Sequence, residues 1–300
     1  MQFGPYSVDV KNREKIYFPE AGITKGDLIE YYDKIAGSLL TFIKDRPLTL
    51  RRFPDGIREE GFYQKEMPDY FPDWIPSAEI KKKDGGTLQQ IICNNKATLV
   101  YLVNQGTISF HPWLSTTAAL NKPNKLVFDL DPPKGNFELV LRAAKLLRKF
   151  LEDKLDLTAF VMTTGSEGLH VVSPVRTEKK YEQVRSFTKK VASYIARKQP
   201  DIFTVEMRKN KRKGRLLIDY MRNSYGQTSI PPYSARALEG APVAAPLEWE
   251  ELDKKGLTSQ SYHIQNIFRR LSQKNNVWDN FRQKAKDLEP SIRQLDDLSH

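Results

Sequence analysis

Three aspartates stand where carboxylates are costly. Asp129 and Asp131 close the apolar run Lys125–Asp131 (KLVFDLD), and Asp219 closes Leu216-Leu217-Ile218-Asp219. Strand side chains alternate, so Asp129 and Asp131 share one face while Phe128 and Leu130 take the other. Paired acids on a desolvated face repel one another and lose hydration, and a hard divalent cation removes both penalties. Pro132-Pro133 ends the strand at once and leaves the pair at an accessible edge. By itself Asp-x-Asp is a weak signal, more often two solvated acids before a turn than a metal site. Asp219 adds a third carboxylate, and three on neighbouring strands can hold two cations for in-line phosphoryl displacement.

Anion-binding chemistry surrounds them in the sequence. Thr163-Thr164-Gly165-Ser166-Glu167-Gly168-Leu169-His170 joins two apolar segments. Glycines in a tight turn let backbone N–H groups approach phosphate, and the hydroxyls and His170 add donors. An ordinary hairpin has the same composition. Arg222 follows Asp219 by three residues and Arg236 lies further on. Guanidinium groups beside a metal site can grip a triphosphate and balance charge at the transferring phosphorus. The basic run 208–215 (RKNKRKGR) reads as a DNA-gripping loop or as a merely solvated one. The turn 81–84 (KKKD) reads as solvated, and Cys93 as a residue without chemistry.

The elements that must carry these residues are legible. Apolar spacing predicts amphipathic helices over residues 137–155 and 181–200, with strands at 125–131, 159–164, 169–175 and 215–221. The order strand, helix, strand, strand, helix, strand fits an RRM-like unit, a sheet covered on one face. Before it, Thr24 or Asp27 caps a helix through Ile43, a strand follows Arg46-Pro47, and residues 97–113 read as helix or strand, a turn at Gly106, then strand. After about residue 245 the chain reads as helical and polar. The expected fold class is α+β: an N-terminal α/β module over about 1–120, an RRM-like catalytic module over 121–245 with the active site in the cleft between them, and a helical segment over 246–300.

Bulk composition fits such a reading. The 300 residues carry a net charge of +11, which favours a polyanionic partner, and 39% are hydrophobic, enough for a core. One cysteine excludes an intrachain disulfide, and with four histidines it excludes a zinc-finger framework. The first residues lack a signal-peptide pattern, and no run approaches the ~20 apolar residues of a membrane span. A soluble intracellular protein with no membrane partner is expected.

FDLDPP, TTGSEGLHV and LLIDYMRNSYGQTSIPPYSARA together resemble the three catalytic motifs of the ligase D-type polymerases of the archaeo-eukaryotic primase superfamily. ITKGDLIEYYDKIA, RPLTLRRFPDG, GFYQK, HPW and APVAAPLEWEEL are similar to other segments of that family in the same order, so the likeness spans about residues 10–255. It looks like a stand-alone form without ligase or nuclease modules. The resemblance implies a primase-like polymerase of non-homologous end joining. Such an enzyme fills gaps and extends 3′ ends with a preference for ribonucleotides, using two Mn²⁺ or Mg²⁺ ions and NTP or dNTP substrates. Asp129, Asp131 and Asp219 would be the catalytic metal ligands. Arg51, His111, Thr164, Ser166, His170, Arg222 and Arg236 would hold the nucleotide. Lys15, Lys25 and Lys65 would meet a downstream 5′-phosphate, with Phe62 and Tyr63 stacking on bases. The implied partners are gapped or 3′-overhang DNA ends, a Ku-like end-binding protein and a separate DNA ligase, in a prokaryotic, nucleoid-associated setting. Thr164 replaces the family's usual serine, and Glu167 stands where a lysine is common, an acid that should repel a triphosphate. The rival functions are a replicative primase, a two-metal nuclease and a non-catalytic end-binding module.

Overall fold

In the computed structural model, residues 1–82, 85–133, 135–176, 178–274 and 277–298 are described. Lys83 and Asp84 of the 81–84 turn lie outside them. The chain divides into two compact units. One comprises residues 1–113, 230–244 and 262–272, the other residues 114–229, 245–261 and 273–300.

In the first unit, strands β1 (Leu48–Arg52), β2 (Phe62–Gln64) and β3 (Thr107–Pro112) form an antiparallel sheet in the order β2-β1-β3. Helix α1 (Lys25–Ile43) begins at a capping box in which Thr24 Oγ1 accepts from the Asp27 amide while Asp27 accepts from the Thr24 amide. Helix α2 (Lys96–Asn104) is capped by Asn95 and buries Leu99, Val100, Leu102 and Val103. The cap decides the helix-or-strand ambiguity of residues 97–104 for helix, and Gly106 (φ +87°) makes the predicted turn where a Cβ would meet Pro54.

In the second unit, the chain runs β4 (Lys125–Asp131), α3 (Phe137–Leu155), β5 (Phe160–Thr163), β6 (Leu169–Arg176), α4 (Tyr181–Lys198), β7 (Phe203–Thr204) and β8 (Leu216–Asp219). With β9 (Pro246–Leu247), the sheet order is β7-β8-β4-β6-β5-β9, and β10 (Lys286–Asp287) pairs with β6. The strand–helix–strand–strand–helix–strand order is the predicted one, extended by short strands at the edges. Both helices present apolar faces: Val140, Leu141, Ala144, Leu147 and Leu151 on α3, and Val184, Phe187, Val191 and Ile195 on α4 are buried. The two helices lie side by side, with Phe150 stacked on Tyr194 at 4.6 Å between centroids. Leu126, Phe128 and Leu130 are fully buried, and alternation sends Asp129 and Asp131 to the other face of β4.

Residues 246–300 are less helical than the sequence reading expects. Short 3₁₀ turns, β9 and β10 interrupt them, and among the described residues only Ile267–Gln273 and Leu288–Asp297 are α-helical. Edge pairing to β5 and β6 competes there with local helix formation. No helix is long and apolar enough to cross a membrane among the described residues.

Candidate active site

Register assembles the site. Antiparallel pairing sets Asp129 opposite Asp219 on one side and opposite His170 on the other. The three residues thus form one row across β8, β4 and β6, with Asp131 two residues further along the same face. Asp129 is 6% exposed and deep in the row. Its Oδ2 accepts from Nε and Nη2 of Arg222, both at 3.1 Å, and its Oδ1 lies 3.4 Å from His170 Nε2. Burial pushes the Asp129 carboxyl up, but His170 and Arg222 outweigh it and hold the group well below the usual carboxylate range. Burial raises Asp131, and the charges of Asp129 and Asp219 add to that despite Arg212. Burial also raises Asp219, against the hydrogen bond from the Met221 amide to its Oδ1 at 2.6 Å.

Arg222 reaches Asp129 through local geometry. The Asp219–Met221 bond turns the chain out of β8 into a 3₁₀ turn over Met221–Asn223. Asn223, fully buried, then clips that turn to β4: its Oδ1 accepts from the Val127 amide at 2.9 Å and its Nδ2 donates to the Val127 carbonyl at 2.7 Å. β8 pairs with β4 only at residues 129–131, so Asn223 satisfies the stretch of β4 beyond the strand's end. Asn223 was not among the sequence-derived site residues; its signal was an amide next to an arginine just beyond a strand-ending acid.

The glycine–hydroxyl loop is fastened to the same strand. A Cβ on Gly168 would lie 1.9 Å from the Leu130 carbonyl oxygen, so only glycine allows this approach. Gly165 adopts φ +67°. The Thr164 hydroxyl serves the loop itself. It donates to the Gly168 carbonyl at 3.0 Å, accepts from the Ser166 and Gly168 amides at 3.3 Å, and lies 3.1 Å from Ser259 Oγ. Ser166 and the exposed Glu167 line an open cavity of about 420 Å³ with Pro132, Asn136, Lys209 and Gln260. Glu167 is thus solvent-exposed and shares its cavity with Ser166. Within the basic run, Arg212 points inward, 3.7 Å from Asp131, while Arg208, Lys209, Lys211 and Lys213 are exposed.

The remaining predicted residues lie in the first unit. Arg51 donates to the Gly61 carbonyl at 2.6 Å, and its guanidinium carbon lies 4.6 Å from the centre of the Tyr63 ring. Tyr63 meets the His111 ring edge-on at 6.1 Å, so Arg51, Tyr63 and His111 form one cluster. Arg236 is half-buried. Lys15 pairs with Asp55. Lys25 is buried, donates to the Lys11 carbonyl at 2.7 Å, and is held below the usual amine range by burial and by Lys15. Phe62 and Lys65 are exposed. Cys93 is buried and its thiol is pushed well up by burial, which removes it from chemistry. Among the described residues, no three His, Cys, Asp or Glu side chains stand preassembled around a metal position.

Acids on the adjacent interior strands β4 and β8, backed by two helices and flanked by a glycine–hydroxyl loop, have the architecture of the primase-polymerase class. The model of the LigD primase-polymerase domain matches residues 24–278, and the chain belongs to that family. It is 34% identical to a bifunctional non-homologous end joining protein LigD of Bacillus subtilis (strain 168), over 91% of this chain and 44% of that protein. It is 32% identical to a multifunctional non-homologous end joining protein LigD of Pseudomonas aeruginosa, over 89% of this chain and 31% of that protein. The chain therefore spans less than half the length of these relatives. The polymerase domain of Mycobacterium tuberculosis ligase D, solved in complex with DNA, superposes with a TM-score of 0.86 at 27% identity, covering 93% of this chain and 99% of that one.

Two outcomes test this geometry. Asn223→Ala leaves the buried Val127 amide and carbonyl unpaired and should cost about 2–4 kcal/mol in denaturant unfolding. In metal-free buffer, the stability contributed by Asp129, whose folded value is depressed, is complete above its unfolded value of about 3.9 and is lost as pH falls through the folded one. Asp129→Asn should therefore flatten the acid limb of the melting temperature against pH; an unchanged acid limb contradicts the assignment.

Proposed function

We propose that this chain is a DNA-repair polymerase of non-homologous end joining that extends 3′ ends by nucleotidyl transfer. The observation that carries the proposal is the cross-strand row Asp219–Asp129–His170 with Asp131 and Arg222 against it. Family membership supports the reaction class, and the relatives' role in end joining and the DNA-bound neighbour support the substrate.

Asp129, Asp131 and Asp219 would hold divalent cations. The donor set is all oxygen, which suits Mg²⁺ or Mn²⁺. The upward displacement of Asp131 and Asp219 by burial and by neighbouring acids is the mark of carboxylates short of positive charge. When bound, such ions lower the pKa of an attacking hydroxyl and neutralise phosphate oxygens. The protein's own groups supply the rest. Arg222 and His170 already provide positive charge and N–H donors beside Asp129, and Arg222 is exposed enough (41% of its side chain) to turn toward a triphosphate. Ser166, Arg51, His111 and Arg236 are the further nucleotide contacts we propose. Thr164 acts through the loop it fastens, and the exposed Glu167 beside Ser166 is solvated.

On the first unit, Lys15 and Lys25 are proposed to bind a downstream 5′-phosphate together with Lys65. Lys25, held down by burial and by the neighbouring Lys15 charge, gains from a shared anion. Tyr63 stacks on bases, and the exposed cations of residues 208–213 contact the DNA backbone. A ribonucleotide preference, a Ku-like end-binding protein and a separate ligase complete the reading.

Asp131→Ala, which removes a carboxylate without opening the buried Asp129 pairings, should reduce Mn²⁺-dependent primer extension at least about 100-fold. Retained extension sinks the mechanism. In a gap-filling assay with rNTP or dNTP, Lys25→Ala should erase the preference for a 5′-phosphorylated over a 5′-hydroxyl gap, while simple primers are still extended. Equal loss on both substrates counts against the phosphate role.

A further inference from the structure

Phe62 and Tyr63 are neighbours on the edge strand β2, so they point to opposite faces of the sheet. Tyr63 belongs with Arg51 and His111. Phe62 belongs with Arg52, which it opposes in register and whose guanidinium carbon lies 5.3 Å from the centre of its ring. The second face carries an additional aromatic residue, Tyr70, whose side chain is 62% exposed.

Tyr70 is held in place despite its exposure. Its hydroxyl accepts from Arg52 Nη1 at 3.1 Å, and its ring meets buried Phe71 edge-on at 5.1 Å. Arg52 is itself anchored: Nε and Nη2 donate to the Gln105 carbonyl at 2.9 and 2.6 Å, and Nη1 also donates to Gln64. Arg52 is 6% exposed and pairs with no carboxylate among the described residues. A buried guanidinium with only neutral acceptors beneath two exposed rings is an expensive arrangement for a bare surface. Two exposed rings held by one positive charge match the chemistry that stacks nucleobases.

We propose that Tyr70 and Phe62, set over Arg52, form a stacking platform for the unpaired bases of a single-stranded DNA tail, on the face of the edge strand opposite Tyr63. The proposal rests on the end-joining reading for its ligand. Glu66 and Asp69 are exposed nearby in the sequence, so the platform holds bases rather than phosphates, and its contribution persists in salt that weakens backbone contacts.

The test measures binding by fluorescence anisotropy in EDTA without nucleotide. The probes are a duplex with a 3′ oligothymidine tail carrying one 2-aminopurine, and the matching blunt duplex. Tyr70→Ala should weaken tailed-duplex binding about 5- to 100-fold and abolish the 2-aminopurine quench, with blunt-duplex affinity within about twofold. Tyr70→Phe, which keeps the ring, should retain both the affinity and the quench. Unchanged tail affinity in Tyr70→Ala overturns the platform, as it would if a protein partner covered this face. Equal loss on tailed and blunt DNA also overturns it. Because no catalysis is involved, a wild-type protein that incorporates no nucleotide would defeat the polymerase reading while this result stood or fell by itself.

Discussion

A charged carboxylate in the middle of a three-strand row has lost most of its water, and nothing in its own strand can replace it. For Asp129 the replacement comes from the neighbouring elements: two guanidinium N–H groups of Arg222 on one oxygen and His170 near the other. Removing a single partner from such a group leaves a buried charge uncompensated, at a cost of several kcal/mol. The turn after β8, the register of β4 with β6, and the clip made by Asn223 can all be understood as what brings those partners within reach. Asp131 and Asp219 lack equivalent partners and stay displaced upward, which concentrates the unmet demand for positive charge where the chemistry would need a cation.

The loop of glycines and hydroxyls has a different part from the one its composition suggests. Thr164 closes the loop on itself with Ser259, and Gly168 brings it against the Leu130 carbonyl. Its hydroxyls and amides act first as structure, which leaves Ser166 as the loop's partly exposed hydroxyl, while His170, already within β6, is buried beside Asp129. The basic run divides similarly. Arg212 and Arg215 bind carbonyls of their own loop, and Arg212 extends to Asp131, so a stretch that looks like uniform charge carries both a fastener and four exposed cations.

Exposed aromatics on the first unit's edge strand gain meaning only from register. Adjacent residues Phe62 and Tyr63 read as one stacking pair in sequence, yet strand alternation separates them onto two faces with different arginines beneath. Each arginine is bound to backbone carbonyls rather than to acids, so each ring sits on a cation that remains electrostatically available.

Sequence by itself determined the elements and the acids. Period-2 and period-3.6 patterns gave α3 and β4 at their observed bounds, Thr24 was one of two candidate caps for α1, and Asp129, Asp131 and Asp219 were visible because an acid ending an apolar strand is anomalous wherever it occurs. These are local signals, set by side-chain alternation and by backbone groups within one helical turn. Tertiary structure alone decided that Asp219, Asp129 and His170 share a row, that Asn223 is what holds Arg222 in place, and that Thr164 turns inward. It also decided that residues 230–244 and 262–272 join the first unit rather than the neighbours they follow in the chain. Pairing register and long-range hydrogen bonds join residues about forty to a hundred apart, and no pattern within a single segment encodes which partner a buried polar group will find.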